Sequence, residues 1–487
     1  MIKFRGARPG RAQITAVFRP ASERHMKERL EHMDQKKRSS FSGKIGFILS
    51  SAGASVGLGN IWRFPYLAAK SGGGIFVLVY ILLAVTFGYT MIMAETAIGR
   101  MTRRSPVGAF RRFGRSPLHL LGGWINAVVP LIIVSYYCVI GGWVIKYFAG
   151  YLFRGTSVMA AEGYFSDYIA DGGQSMLWFL VFGGLTMLVI YMGVENGIER
   201  VSSLLMPALV VLSLIIAVYS CTRPGALEGV KYFLIPKPGD FSWKTVVNAM
   251  EQMFYSLSIA MGILYTFGSY MKDDTGIEEA TLQVEIFDTA IAVMAGLMII
   301  PAVFAFSGGN ADTLNAGPSL MFITIPRVFD SMTGGGLVGI LFFMLVTFAA
   351  LTSAIALAES AVSTVEDELH MSRKGAVLAV TLVILGLGTL TALGYGPLSA
   401  VTLFGMQFLD FFDFLANSLL MPIGALATCL LVVHAIGLDR IDAEIEKSGH
   451  SFRMKGVFHF MIRTLCPVFV LVIFAFSIAG ILGLVSL

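Results

Sequence analysis

Charged residues are scarce in this 487-residue chain. Asp, Glu, Lys and Arg together make up 14% of it, where a soluble domain carries about 25%. Cysteine is rarer still: Cys138, Cys221, Cys429 and Cys466 lie in or at the ends of apolar stretches, without metal-type spacing, and read as small core residues. The seven histidines, His119, His370 and His434 among them, are scattered, and no His-Glu-x-x-His string occurs. An intramembrane metalloenzyme therefore has no visible ligand set. The first 43 residues are polar and basic, without the apolar stretch of a cleavable signal. They read as a tail, with Met26 and Met33 as alternative starts.

What is abundant is apolar: 56% of residues, including 37 Phe, at a mean hydropathy of +0.75. Eleven apolar spans can be drawn, at 44–69, 74–99, 121–153, 175–193, 201–221, 243–270, 281–306, 334–366, 375–396, 398–434 and 456–486. A helix needs roughly 20 such residues to cross a bilayer, so the expectation is an all-α polytopic membrane protein. Residues 1–40 carry eleven basic residues against four acidic ones, and the loop 100–118 holds Arg100, Arg103, Arg104, Arg111, Arg112 and Arg115 with no acid. Basic loops stay inside. The N-terminus is therefore expected in the cytoplasm and, after eleven spans, Leu487 outside. The net charge of +5 is a topology signal and does not point to nucleic acid. Short loops and eleven spans suggest a bacterial plasma (inner) membrane.

The first span is interrupted. Its middle reads Ala52-Gly-Ala-Ser-Val-Gly-Leu-Gly-Asn-Ile-Trp-Arg-Phe-Pro65. Gly53, Gly57 and Gly59 loosen a helix, and lipid rejects Arg63. Irregular backbone at this depth survives only when buried in protein or lining a wet cavity, so a broken helix bearing Asn60 and Arg63 reads as a binding site. The sixth span offers a second interruption at Ser256, Ser258 and Gly262. Paired breaks in corresponding positions of two halves mark a midplane site. The domain expectation is a basic tail (1–43), a five-helix repeat (44–221), an extracellular connection (222–242), an inverted five-helix repeat (243–434), a cytoplasmic loop (435–455) and an eleventh helix (456–487). A broken helix offers N–H groups to an anion and C=O groups to a cation, which suits the zwitterion of an α-amino acid. Adjacent hydroxyls at Thr352 and Ser353 in the eighth span either bond back to their own helix or serve a hard cation. Asp288, in the seventh span, needs a cation, a proton or strong donors if it lies at membrane depth.

The strings Gly57-Leu-Gly-Asn-Ile-Trp-Arg-Phe-Pro65, Gly72-Gly-Gly74, Tyr136-Tyr137, Gly197-Ile-Glu-Arg200, Ser256-Leu-Ser258, Leu351-Thr-Ser353 and Glu366-Asp-Glu-Leu369 occur in order. With them the chain resembles the neurotransmitter:sodium symporter family from about residue 38 onward, and within it the bacterial amino-acid transporters of the leucine-transporter type. The resemblance implies an inverted five-plus-five fold with discontinuous helices one and six, plus an eleventh helix, and no enzymatic activity. It implies two sodium sites. The first would use the Ser55 carbonyl, Asn60, Ser256 and Asp288; the second, carbonyls of Gly53, Val56 and Ala349 with the hydroxyls of Thr352 and Ser353. Substrate carboxylate would meet the N–H groups of Leu58 and Gly59 and the Tyr137 hydroxyl. The ammonium would face carbonyls of Ser55, Tyr255 and Ser256 and the Ser258 side chain. Ile133, Tyr255, Met261, Ser353 and Leu357 would line the side-chain pocket. Arg63 and Asp413 align with an outer gate beneath which Tyr255 acts as a lid; Arg38 and Asp367, assisted by Tyr270, align with an inner gate. Phe41 stands where tryptophan is common.

Two departures bear on function. Asp288 replaces the usual asparagine, and Ala292 lies where chloride-dependent animal relatives carry a serine, although Tyr80 and Gln252 of that region match. A fixed carboxylate beside Na⁺ supplies the charge that chloride supplies elsewhere, so transport is expected to be chloride-independent. The uncharged pocket predicts a neutral, hydrophobic or aromatic amino acid, with flexible Met261 admitting larger side chains. The expected partners are this amino acid, Na⁺ and the bilayer, with the chain a monomer or weak dimer. A proton-coupled transporter and a non-transporting amino-acid sensor are the rival readings.

Overall fold

A computed structural model describes residues 39–114, 116–308 and 320–481. The chain divides after Ser39, and all elements below belong to the unit beginning at Ser40. The basic tail, Arg38 included, lies outside the described residues.

The described residues are almost wholly helical. Their principal helices are α1 (Lys44–Ser55), α2 (Gly59–Lys70), α3 (Gly74–Thr102), α4 (Pro117–Phe153), α5 (Gly172–Met192), α6 (Val194–Cys221), α7 (Trp243–Ser256), α8 (Ile263–Tyr270), α9 (Ile277–Ser307), α10 (Gly335–Leu369), α11 (Arg373–Leu393), α12 (Phe408–Ile436) and α13 (Lys455–Ala479). Nine of them are long and apolar enough to cross a membrane, and α1 and α2 form one bent span with 50° between its halves. Counting that pair as one gives ten candidate crossings among the described residues; α7 and α8 lie where the sequence predicts the sixth span. Short helices, including Ala226–Leu234, occupy the connections.

The composition of each helix explains its place. In α5, Leu177, Leu180, Leu185 and Leu188 are exposed, while Phe179, Phe182, Gly183 and Thr186 are buried. A helix apolar on its outer face as well as its inner one belongs in lipid. Between neighbours, small residues permit close contact: a Cβ on Gly142 of α4 would stand 2.7 Å from the Trp178 carbonyl carbon of α5. That is how membrane helices associate without a hydrophobic driving force. The long helices α4 and α10 pack together along the interior, where Tyr147 and Phe343 approach to 5.2 Å between ring centroids. Both run beside the two breaks.

One boundary differs clearly from expectation. The tenth span begins at Phe408, ten residues later than the predicted 398. The segment before it is apolar but turns repeatedly and closes a bridge between Leu403 and Met406. Pro397 keeps α11 from continuing, and Phe404 and Gly405, with φ of 53° and 78°, interrupt a helix over 398–407.

Candidate functional site

The first break is built from close approaches. α1 ends at Ser55, and Val56 turns extended with φ −75° and ψ 95°. The last carbonyls of a helix have no partner within it, and here they meet α10. Ser353 Oγ lies within donating distance of the carbonyls of Gly53, Ala54 and Val56, at 3.2, 3.1 and 3.3 Å. On the same helix Thr352 Oγ1 donates to the Ala349 carbonyl at 3.1 Å. Every group predicted for the second sodium site is thus gathered where α1 meets α10. Beyond the break, the Gly57 N–H donates to Asn60 Oδ1 at 3.2 Å and the Leu58 N–H to the Tyr137 hydroxyl at 3.1 Å. Only glycine fits at 57, where a Cβ would stand 2.4 Å from Ser353 Oγ.

The second break joins α7 to α8 through Leu257–Gly262. Ser258 and Ala260 hold φ of 56° and 58°, and Gly262 a φ of 68°. A left-handed conformation costs a non-glycine residue about 1–2 kcal/mol, so these two need support. The Ala260 N–H donates to Glu95 Oε1 of α3 at 3.0 Å, and Ser258 Oγ donates to the Ala54 carbonyl at 3.3 Å. The two breaks therefore touch one another.

Asp288 lies fully buried in α9. Its Oδ1 accepts from Asn60 Nδ2 at 2.7 Å and from Ser256 Oγ at 2.8 Å, and its Oδ2 from the Tyr80 hydroxyl at 2.9 Å. Asn60 Nδ2 also reaches the Asp288 carbonyl at 3.1 Å. Four spans thus converge on one carboxylate, all through neutral donors. The nearby Ser55 Oγ is buried with no hydrogen-bond partner among the described residues. Hard cations take such oxygen donors. No group of three His, Cys, Asp or Glu side chains is placed to hold a metal among the described residues. The low charge of the donor set favours a monovalent ion over a divalent one.

Beside Asp288 lies a cavity lined by Ala54, Ser55, Gly57, Gly59, Ile133, Tyr137, Tyr255, Ser256, Ser258, Met261, Ile263, Ser353 and Leu357. All but three of these were expected from the sequence; Ala54, Gly57 and Ile263 were not. No lining side chain is charged. The cavity measures about 20 Å³, room for roughly one water molecule, so the walls here are drawn together. Tyr255 closes one end, packed so tightly on Gly59 that a Cβ there would lie 2.7 Å from its ring.

The pairing at that end departs from expectation. Arg63 does not pair with Asp413. Its Nη2 lies 3.5 Å from Glu251 Oε2, its Nη1 donates to the Glu251 carbonyl at 3.5 Å, and its guanidinium sits 5.5 Å from the Tyr255 ring centroid. Asp413 instead accepts from the Tyr136 hydroxyl at 2.9 Å and from Asn417 Nδ2 at 2.6 Å. The reason is register: Glu251 stands one turn before Tyr255 on α7, which packs on α2, whereas Asp413 belongs to α12 and takes its donors from Tyr136 of α4 and Asn417 of α12.

At the opposite end, the predicted partner Arg38 falls outside the described residues. Asp367 accepts the Ser105 N–H at 2.7 Å. Tyr270 donates to Glu359 at 2.8 Å, and Arg373 holds both Glu359 oxygens at 3.1 and 2.7 Å. Phe41 is buried edge-on against Phe47, Phe267 and Tyr270, at 5.8, 5.5 and 6.1 Å. A phenylalanine thus fills the place expected for tryptophan.

The buried or half-buried acids Glu95, Glu251, Glu285 and Glu359 were among those missed from the sequence. Gly53-Ala-Ser-Val-Gly57 also spells the Gly-x-Ser-x-Gly string of many hydrolases. That motif needs a strand–turn–helix setting; here it spans the end of a helix, and Ser55 has no base against it among the described hydrogen bonds.

The comparisons with known proteins agree with this fold. A profile of the Sodium:neurotransmitter symporter family matches residues 38–157 and 159–484. A sodium-dependent transporter of Bacillus subtilis is 34% identical over 457 residues, covering 93% of this chain and 100% of that protein. The human sodium- and chloride-dependent GABA transporter 2 is 27% identical over 469 residues, covering 86% of this chain and 76% of that protein. Among solved structures, MhsT in complex with L-phenylalanine superimposes with a TM-score of 0.82 at 33% identity, covering 90% of this chain and 100% of that one. The chain belongs to the sodium:neurotransmitter symporter family, as a multi-pass, sodium-dependent transporter with that family's discontinuous-helix fold.

Proposed function

We propose that the protein imports a neutral amino acid with a hydrophobic or aromatic side chain, coupled to two sodium ions and independent of chloride. The observation that carries this reading is the convergence of Asn60, Ser256 and Tyr80 on Asp288 beside an uncharged pocket. Three neutral donors leave the Asp288 carboxylate with no cationic side chain against it among the described hydrogen bonds, and a bound Na⁺ would balance it, so that no added anion is needed. Ala292, which has no hydroxyl to offer chloride, agrees. The likeness to MhsT holding L-phenylalanine supports the aromatic preference.

The proposed cycle begins with sodium ordering the breaks: one ion at Ser55, Asn60, Ser256 and Asp288, a second among Gly53, Val56, Ala349, Thr352 and Ser353. The amino acid completes the first site with its carboxylate at Leu58, Gly59 and Tyr137, so ion and substrate strengthen each other's binding equally. Tyr255 and Arg63 then close over it from the outer side. Loss of the second ion loosens the Tyr270 side and releases the cargo inward. The membrane potential assists, each charge moved through about 100 mV gaining about 2.3 kcal/mol. This orientation places the basic tail in the cytoplasm.

Uptake into proteoliposomes, screened over twenty amino acids, tests the reading. Accumulation is expected for Phe, Trp, Tyr or Leu in Na⁺, is expected to vanish in choline or K⁺ at constant pH, and to persist when gluconate replaces chloride. Uptake driven by a proton gradient in choline would transfer the assignment to proton coupling. Binding without accumulation would leave a sensor.

A further inference from the structure

The acid of the Gly197-Ile-Glu-Arg200 string lies at the foot of α1, at the opposite end of that helix from Gly53 and Ser55. Glu199 belongs to α6, which packs on α1. It is only 8% exposed; its Oε2 accepts the Ser42 N–H at 2.8 Å and its Oε1 the Ser42 hydroxyl. The start of α1 needs such a group. Its first N–H groups have no partner within the helix, and its N-cap, Gly43, offers them no side chain. A carboxylate brought from a neighbouring helix answers the partial positive charge there. The fit is close: a Cβ on Gly46 would overlap the Glu199 carboxylate, so glycine at 46 leaves the acid its place. Further contacts hold the same stretch. The Phe41 N–H donates to the Tyr270 carbonyl at 3.2 Å, Lys272 Nζ donates to the Ser42 carbonyl, and Lys44 Nζ lies 2.6 Å from Glu279 Oε1. The Lys44 and Glu279 side chains are 38% and 60% exposed, and so exposed a pair contributes little. The carboxylate of Glu199 is shielded from water.

We propose that Glu199 is a positioning residue for sodium: it pins the foot of α1 to α6, which keeps the cytoplasmic side shut and holds the carbonyls at the far end of α1 in place for the ion. The inference rests on reading the meeting of α1 and α10 as the second sodium site. α1 is 12 residues long, a rod of about 18 Å. Its far end presents the carbonyls of Gly53 and Val56 to Ser353, so a loosened foot also loosens their register against α10. Whatever seats α1 therefore raises Na⁺ affinity, and Na⁺ in turn seats α1. Phe41, one residue before Ser42, is buried edge-on against Phe47, Phe267 and Tyr270. The same pin keeps this aromatic plug in place.

The test uses the full chain in detergent with Ser51→Cys as reporter; Ser51 is buried on α1 with its hydroxyl unpartnered among the described residues. One readout, which needs no substrate, is the rate at which a polar methanethiosulfonate labels this cysteine in Na⁺ and in choline. The chain without the reporter supplies the background of Cys138, Cys221, Cys429 and Cys466, of which three are buried and Cys221 half-buried. The other readout is the Na⁺ concentration that half-saturates binding of labelled L-phenylalanine. Glu199→Gln is expected to label about three- to fivefold faster in Na⁺ and to need about three- to fivefold more Na⁺, with L-phenylalanine affinity at saturating Na⁺ nearly kept. General unfolding would not spare that last value. Gly46→Ala, which displaces the carboxylate, should match Glu199→Gln and add nothing to it in the double variant. Ser42→Ala, which removes only the hydroxyl, should shift both readouts by less. Lys44→Gln, at the exposed pair, should stay within about twofold of wild type. Wild-type labelling and Na⁺ dependence in Glu199→Gln and Gly46→Ala, or an equal effect of Lys44→Gln, would overturn the proposal. Should Glu199→Gln fail to fold, wild-type behaviour of both Gly46→Ala and Ser42→Ala overturns it. If Na⁺ slows labelling in no form of the protein, the second-site reading fails, and the Glu199→Gln rate still decides whether this acid pins α1.

Discussion

The two broken spans reach the same end by different means. In the first, Gly53, Gly57 and Gly59 all keep negative φ; glycine is needed there because Ser353, Tyr137 and Tyr255 press where side chains would be. In the second, the backbone itself is unusual, with Ser258 and Ala260 in the left-handed region and a buried Glu95 holding the Ala260 N–H. One break is a problem of space and the other a problem of conformation. The spatial one gathers the groups proposed as ion ligands, since close packing brings carbonyls and hydroxyls within about 3 Å. The conformational one places Ser256, Ser258 and Met261 in the lining of the cavity proposed for substrate.

The sharpest way to break this contrast is at the shared ion site. Asn60→Ala removes a donor from the buried Asp288, at about 2–3 kcal/mol, and a thirtyfold or greater loss of Na⁺ affinity is expected; titrating Na⁺ against amino-acid binding measures it. Gly57→Ala comes next. Its methyl group collides with Ser353 and Tyr137, and Na⁺-dependent uptake is expected to fall by an order of magnitude or more while the protein still inserts, as surface labelling checks.

Changes at the second break act mainly on stability. Glu95→Ala leaves the Ala260 N–H without its acceptor, at about 1–3 kcal/mol, so thermal unfolding in detergent should come several degrees lower; Glu95→Gln, which keeps an acceptor oxygen, should recover most of the loss. Ala260→Gly should go the other way, relieving left-handed strain and stabilising by up to about 1 kcal/mol. A Gly57→Ala variant that stabilised, or an Ala260→Gly variant that destabilised strongly, would reverse the contrast.

The smallest effect lies just past α8. Burial alone would raise the Asp273 pKa, but Lys447 at 3.1 Å and the Arg103 guanidinium outweigh it and hold the carboxyl below its usual range. A depressed folded pKa means the stabilisation is present above the unfolded value of about 3.9 and is lost as pH falls through the folded one. Asp273→Asn should cost under about 1 kcal/mol at neutral pH and flatten the loss of stability below about pH 4.

This difference also governs what could be read in advance. Crowded glycines leave a string in the sequence, so the first break, Asn60 and the second-site hydroxyls were all visible. The second break was visible at Ser256, Ser258 and Gly262, but the left-handed backbone of Ser258 and Ala260 was not, because either residue would suit an ordinary helix. Glu95 was open to the same reasoning as Asp288, an acid inside an apolar span, and went unnoticed because no known motif surrounds it. The Arg63–Glu251 pairing depends on the register of α7 against α2, which no local pattern encodes. The tenth span was begun too early because residues 398–407 are apolar without being helical.

The most direct measurement is equilibrium binding of labelled L-phenylalanine to the purified protein as Na⁺ replaces choline at constant ionic strength. The account predicts no binding in choline, a steep rise with Na⁺ reflecting more than one ion, and loss of that rise in Asn60→Ala. Equal binding with and without Na⁺ would contradict it.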